Sequence, residues 1–565
     1  MSGVVLKGHC IGRPSLGTAV AVFLLSASSL AQYQPIQGHG GVMNANTPSQ
    51  MRLVSAWDSP PAYRRIRIMT RDDIELTYPL LASYVAHPER ASSVDEFVVD
   101  TYEWPSQRRS YYVNEEDKDR ELREPPRPVS DDAHAAVEAY ARGLGLGAAD
   151  TAAMVEALAW KKRHLAGERP ESPDGFPQHN AAYASAAAAL LLSLCRNLTT
   201  LQLGEVTSAG TQRPGPGPDA HPGGVLERFL LDNNYGRLPA QHLAQLRHVQ
   251  VGPGYTRRRD ERNYDRTELL NLLRYVHRLP AVETVDVEAV MEYQAARLLF
   301  PPRTSAALRR LRLAHVDVSS GMLGTILRVP HTLEALTISL GGLWHRDGGS
   351  PGVSLKTLGK CLLQHRTTLR ELDLDVSAAL HEGLPVGDGE ETEETWDDLI
   401  EDFDGDEDEA FSGNRDEYFL LDEQDSDGPL WTQDLPDTRP YGITIGSLHD
   451  FEALTHLSIS LRALLGTGKS AMPPTRLAVE PPFRLTDALP PHLEALRLYD
   501  YRRGDNPDID DHVWELLEKK AERFPGLTTV EGVETTIPSV DTQYPARSEA
   551  ALWPRPRMDL DWIEA

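Results

Sequence analysis

A short cadence of apolar and polar positions keeps returning along this chain. It runs as an apolar residue, two others, an apolar residue, one other, and a third apolar residue. It is clear at Leu198, Leu201 and Leu203, and it returns at Leu246, Val249 and Val251 and at Val282, Val285 and Val287. Further copies are Leu308, Leu311, Leu313; Leu333, Leu336, Ile338; Leu369, Leu372, Leu374; Leu454, Leu457, Ile459; and Leu493, Leu496, Leu498. Val94, Phe97 and Val99 make an earlier copy, and Leu527 with Val530 begins a frayed last one. The last two apolar residues of each copy lie two apart, so they share one face of a strand. The first turns inward from the preceding loop.

Counted from Leu198 between first apolar positions, the copies follow one another after 48, 36, 26, 25, 36, 85, 39 and 34 residues. The connectors carry helical patterning at Leu269–Val276, Met322–Leu327 and Leu358–His365. Upstream, Tyr63–Ile68 alternates as a short strand and a helix is expected near Leu76–His87. Three more helices are predicted: from Asp131 with Ala135, Val137 and Tyr140 on one side, over Asp150–Leu165 with Asp150 as N-cap, and over Asn180–Leu194. His512–Arg523 reads as an amphipathic helix that helps to cap the array.

The cadence resembles the strand signature of leucine-rich repeats. A repeat strand cannot bury its apolar face alone, so neighbouring units must stack. The fold class read from this is α/β: an irregular leucine-rich-repeat solenoid with a parallel concave sheet and outer helices. Nine or ten strands at a spacing of ~4.8 Å would span roughly 40–45 Å. The organisation expected is a signal-like or disordered segment 1–54, a solenoid over 55–536 with an acidic disordered insertion at 382–437, and an irregular tail 537–565.

Charge sharpens this picture. The net charge of the 565 residues is −27, yet Asp388 to Asp427 holds twenty acidic residues against the single Arg415. That stretch reads as an acidic loop inside the 85-residue gap. A nucleic-acid partner is excluded as the expectation, because phosphate binding needs a basic face, and Arg64-Arg65-Ile66-Arg67 and Arg257-Arg258-Arg259 are too short to supply one. No stretch approaches the ~18 apolar residues of a membrane span.

The N-terminus and the cysteines point in different directions. Lys7, His9 and Arg13 precede an apolar run from Leu16 to Leu25, and Ser29-Leu30-Ala31 has the small residues of a signal cleavage site. Cys10, Cys195 and Cys361 offer neither a disulfide framework nor metal spacing, and the last two read as buried hydrophobes. The sequon Asn197-Leu198-Thr199 leads into a repeat strand, where a glycan is not expected to fit. Cytoplasmic or nuclear residence is therefore the expectation, with secretion as the alternative.

Motifs of catalysis do not survive inspection. Ala463 to Ser470 fits a relaxed phosphate loop, but Pro473-Pro474 follow where a helix should open. Gly143, Gly145 and Gly147 follow a helix instead of a strand, so they read as a join between two helices. His345-Arg346-Asp347 resembles a kinase tripeptide without its downstream partners. Asp402, Asp404, Asp406 and Asp408 alternate like a calcium loop, but Glu407 and Gly413 occupy the positions that need Gly and Glu. No enzyme, cofactor or metal is expected.

One row of residues is the candidate site. Between the two core-facing residues of each strand stand Gln202, Gln250, Asp286, Arg312, Thr337, Asp373, Ser458 and Arg497, all polar. Parallel stacking would align them along the concave face, as a solvated sheet surface or as a docking row with charges of both signs.

Three stretches are similar to filamentous-fungal F-box and leucine-rich-repeat proteins. They are Tyr63–Ile68, the run Leu80–Glu89 followed by Val94–Phe97, and Ala189–Leu198 followed by Thr199–Leu203. The resemblance covers roughly residues 60–530 and lies in the cadence. It implies a non-enzymatic protein-interaction scaffold related to the substrate-recognition subunits of ubiquitin ligases. The F-box that should precede Tyr63, and would dock a Skp-type adaptor, is not found. The alternative function is a secreted leucine-rich-repeat binding protein with a cleaved signal peptide.

Overall fold

A computed structural model describes residues 62–101, 128–168, 176–204, 224–252, 264–267, 269–292, 303–343, 355–377, 444–466, 481–540 and 562–565, together with positions 104, 206, 353 and 441. The expected N-terminal segment 1–54 and the acidic insertion, including Asp402 to Asp408, lie outside the described residues. So do Cys10, the 345–347 tripeptide, and Lys469-Ser470 of the glycine-rich stretch.

Fourteen strands occur among the described residues: β1 (Tyr63–Ile68), β2 (Glu96–Val99), β3 (Thr200–Leu203), β4 (His248–Val251), β5 (Asp265–Thr267), β6 (Thr284–Glu288), β7 (Val290–Glu292), β8 (Arg310–Val316), β9 (Ala335–Leu340), β10 (Glu371–Asp375), β11 (His456–Ser460), β12 (Ala495–Tyr499), β13 (Thr529–Glu531) and β14 (Ile563–Glu564). Twelve join one sheet in the order β13-β12-β11-β10-β9-β8-β6-β4-β3-β2-β1-β14, while β5 and β7 form a separate parallel pair. Within the large sheet every pairing is parallel except β1 with β14. Helices alternate with the strands, as at Ser320–Arg328 between β8 and β9 and Leu355–Leu363 between β9 and β10. The fold is therefore α/β, with a large, mostly parallel sheet.

The register follows from the cadence. Ile66, Phe97, Leu201, Val249, Val285, Leu311, Leu336, Leu372, Leu457, Leu496 and Val530 are consecutive partners across the sheet. All but the half-buried Val530 are at most 2% exposed. The second apolar row, from Ile68 to Leu498, is buried as completely. The first apolar residue of each copy, from Leu198 to Leu527, is buried in the turn before the strand. Backbone polarity in that turn is satisfied by an extra ladder. Arg247 N–H donates to Thr199 O, Glu283 to Arg247 O, Arg309 to Glu283 O and Glu334 to Arg309 O. β10 and β11 pair in direct register although the long gap separates them in sequence.

The chain before β4 is richer in helix. Helices Arg71–Ala86, Asp131–Gly143, Ala148–Leu165, Phe176–Leu194 and Gly224–Asn234 pack on one another. The first opens with a capping box, in which Thr70 accepts from Asp73 N–H and the Asp73 carboxylate accepts from Thr70 N–H. Two details differ from the sequence expectation. Asp150 is not the N-cap: the helix begins one turn earlier with Gly147 capping it, and Asp150 lies in the first turn, where the helix dipole favours a carboxylate. In the helix from Asp131, Val137 and Ala141 are buried while Ala135 is exposed, because the covered stripe follows the four-residue spacing. Gly145, with φ +90°, makes the join between two helices that its position suggested.

Inside this helical group Lys161 is wholly buried. Its ammonium donates to Glu75 Oε2 at 2.8 Å and to Asn180 Oδ1 at 3.2 Å, and it lies 5.0 Å from the Tyr183 ring centre. Tyr183 in turn shares a 2.6 Å hydrogen bond with Thr77. Cys195 and Cys361 are both buried free thiols, and burial raises the pKa of each. None of the described helices is long and apolar enough to cross a membrane.

Two stability predictions come from this core. Leu311→Asp or Leu372→Asp puts an unpaired carboxylate into the apolar ladder and should cost several kcal/mol, read as a large drop in the thermal midpoint. Lys161→Ala strands Glu75 without its cation and should destabilise by ~3–5 kcal/mol, read by chemical denaturation. A denaturation curve unchanged by Lys161→Ala would mean that the pair does not hold the helices together.

Candidate partner-binding face

The central polar residues of the strands do form one row. Arg67, Val98, Gln202, Gln250, Asp286, Arg312, Thr337, Asp373, Ser458, Arg497 and Glu531 are consecutive Cα partners. All eight sequence-selected positions fall within it. They are not equally accessible. Gln202 is only 9% exposed and Val98 is buried beside it. Gln250, Asp286, Arg312, Thr337, Asp373 and Ser458 are half-buried, and Arg497 is exposed.

The charges of the row have partners on the sheet itself. Arg312 Nη1 donates to Glu288 Oε2 at 2.6 Å. Arg497 Nε donates to Glu531 Oε2 at 2.8 Å on the next strand. Tyr499 donates its phenolic hydrogen to Asp373 Oδ1 at 2.8 Å, reaching from β12 to β10. Burial raises the pKa of Asp373, and the Tyr499 hydroxyl and the Arg497 charge oppose that rise. The Arg497–Glu531 pair is nearly half exposed on both sides, so it is worth at most ~1 kcal/mol and can be opened by a competing group.

A second outward row runs beside the first. It consists of the residue just before each central apolar position, and the cadence carried that signal in its earlier variable letter. His248, Arg310, Glu371, His456 and Thr529 on this row are exposed. Arg310 reaches past Ala335 of β9 to Glu371 of β10 at 3.4 Å. The accessible polar surface therefore gains a second column over β8–β13, interrupted by Ala335 and Ala495.

At the carboxyl ends of the strands the same face closes over. Asp100, Glu288 and Asp375 are each at most 6% exposed. Residues 537–540 lie over the ends of β10–β12. Ile537 bridges Tyr499, Ser539 N–H donates to Asp500 Oδ1 at 2.9 Å, and Val540 N–H donates to Asp375 Oδ2 at 2.6 Å. A cavity of about 200 Å³ opens here, lined by Ser377, Ser460, Tyr499, Arg462 and Arg502 among others. Desolvation is the main reason that the Asp375 carboxyl is pushed up to about 7, with Asp500 and Asp373 adding to the rise and the Val540 amide opposing it.

Sequence reasoning did not find this cavity, because its lining joins strand ends to the turn at Arg502–Asn506 and to Ile509 of the following helix. Among the described residues no group of three His, Cys, Asp or Glu side chains could hold a metal ion. The glycine-rich stretch begins inside the short helix Leu461–Leu465, which ends at Gly466 with φ +90°, so the helix precedes the glycine instead of following it. Asn197, expected to have no room for a glycan, is exposed, and its side-chain nitrogen donates to Ser92 O at 2.8 Å. The strand begins three residues later, which leaves the asparagine on the surface of the turn.

Comparison of the chain with protein-family models, with curated proteins and with solved structures finds no match.

The Asp375 environment makes stability depend on pH. Its folded-state pKa lies above the unfolded value of ~3.9, so its contribution is complete below that value and is lost as pH rises through about 7. Asp375→Asn can still accept from the Val540 amide but does not ionise. Between pH 4 and pH 8 the variant should gain on the parent by an amount on the order of 4 kcal/mol at most. Denaturation midpoints measured across that range check this, and a constant difference would contradict it.

Proposed function

We propose that this chain is a non-enzymatic protein-interaction scaffold, an irregular leucine-rich-repeat solenoid whose concave sheet face holds a partner protein. The observation that carries the reading is the in-register polar row from Gln202 to Arg497, widened by the exposed neighbours Arg310, Glu371 and His456. Asp286, Arg312, Thr337, Asp373, Ser458 and Arg497 would contact the partner, while the buried Gln202 would position the sheet. The paired charges suit specificity and salt-sensitive association more than raw affinity, since each partner charge must displace an existing one.

The relation to F-box substrate-recognition subunits rests on the cadence of residues 60–530. A Skp-type adaptor would enter this proposal only together with an F-box element. The alternative, a secreted binding protein, is favoured by one structural observation: the sequon asparagine Asn197 is exposed. Expression through a eukaryotic secretory pathway separates the two readings, because secretion with a glycan that Asn197→Gln removes would establish the second.

The binding face has its own test. A partner identified by crosslinking should bind Arg310→Glu and Arg497→Glu at least ~tenfold more weakly than the parent, with the loss growing at low salt. Both side chains are about half exposed, so the variants should melt like the parent. Unchanged affinity in folded variants would move the site off this face.

A further inference from the structure

The large sheet does not end at its first repeat strand. Ile563 and Glu564 pair antiparallel with Arg65 and Tyr63 of β1, and Ala565 N–H donates to Ala62 O at 2.8 Å. Trp562 anchors this short strand. Its indole Nε1–H donates to Asp73 Oδ1 at 2.9 Å, and its ring meets the Tyr63 ring edge-on with centres 5.0 Å apart.

The receiving groups are held in place by the fold. Asp73 is 2% exposed and is fixed by the Arg67 guanidinium at 3.0 Å and by the amides of Met69 and Thr70. Tyr63 is 7% exposed. An acceptor and an aromatic wall thus stand beside an edge strand whose backbone is ready to pair.

The occupant is held far less tightly. Trp562 and Ile563 are half-buried, and Glu564 and Ala565 are exposed. Its register with β1 is irregular, and among the described residues only two of the six β1 residues pair on this edge. Two ladder positions are too few to make a strand stable without its side-chain anchor. The segment is acidic: residues 559–565 (Asp-Leu-Asp-Trp-Ile-Glu-Ala) bring three acids to the edge of a strand that carries Arg64, Arg65 and Arg67, which pair with Asp95, Glu96 and Asp73.

We propose that the outer edge of β1 is a strand-docking site for an acidic peptide with a tryptophan–aliphatic–acidic core, occupied in cis by residues 562–565 and open in trans to a partner protein that presents the same motif. Main-chain pairing supplies affinity, and the Tyr63–Asp73 corner supplies specificity for tryptophan. The tethered segment competes at a high effective concentration, so it holds the site until a partner exchanges with it. This site stands at the opposite end of the array from the exposed polar columns and does not depend on their role.

The test uses a fluorescent peptide of residues 559–565 and three forms of the chain: the parent, Trp562→Ala, and a deletion of residues 562–565. Anisotropy should show saturable binding to both variants, at least ~tenfold tighter than to the parent, whose own segment competes. A peptide with Ala in place of its tryptophan should lose at least ~tenfold of that affinity. Thermal melts of the two variants establish that they are folded, and the Trp562→Ala chain keeps the full backbone if the deletion does not. No saturable binding to a folded variant would overturn the proposal. Equal binding of the tryptophan and alanine peptides would overturn it too, as would equal affinity for parent and variants.

Discussion

The structure depends on a parallel register that one apolar pair per strand enforces. Each strand is three to seven residues long in the repeat region, with one face covered by the apolar core. A slip of one residue would turn Leu311 and Leu313 outward and bring Arg312 into the core. Because every neighbour obeys the same rule, the register is transmitted from Ile66 to Val530 without a break. The uneven connectors do not disturb it. Long gaps and short ones return the chain to the same place, since loop closure costs grow only slowly with length.

An array of this kind leaves its two ends with an unmet demand, and the chain treats them differently. At the β13 side the ladder frays, Val530 is half-buried, and the helix Pro507–Arg523 packs on the helix Leu485–Ala488 with Ile509, Val513 and Leu516 buried. At the β1 side the edge is met by an antiparallel strand anchored on the residue that also caps the first helix. Asp73 therefore serves three partners at once: the helix N-terminus, Arg67 and Trp562. A carboxylate so committed accepts the indole without reorganising, which is why the same corner can recognise a strand and hold a helix.

The sheet was legible in the sequence because alternating aliphatic residues at a two-residue spacing have one stable placement, on a covered sheet face. Leu198 to Leu498 could be positioned from that fact alone, and the parallel pairing came with it. The helices were legible less evenly: those expected from Leu76 and His512 begin five residues earlier, at Arg71 and Pro507, and Gly224–Asn234 was not anticipated, while the errors at Asp150 and Ala135 arose where capping and packing, not propensity, decide the outcome. Three features were hidden for a shared reason. The β5–β7 pair, the strand at Ile563–Glu564 and the Lys161–Glu75 pair each join residues whose local patterns carry no sign of the partner. A buried lysine is uncommon, and Glu75 and Asn180, 86 and 19 residues away, together with the Tyr183 ring, make Lys161 tolerable. The candidate row was legible as a row, but not the degree to which its charges are paired with neighbouring side chains.

That pairing bears on the role proposed for the face. A row of free charges would attract any oppositely charged surface and hold it loosely. Here Arg312 is already with Glu288, Arg497 with Glu531, and Asp373 with Tyr499. An incoming protein gains only the difference between its own contacts and those it opens, so a generic charged surface gains little. In the proposed role, a surface that matched the spacing of the strands would gain at several rungs together, and the half-exposed Arg497–Glu531 pair would cost little to open. Affinity would then depend on the number of rungs matched in register, and discrimination would come from the same repeat spacing that holds the apolar core on the other side of the sheet.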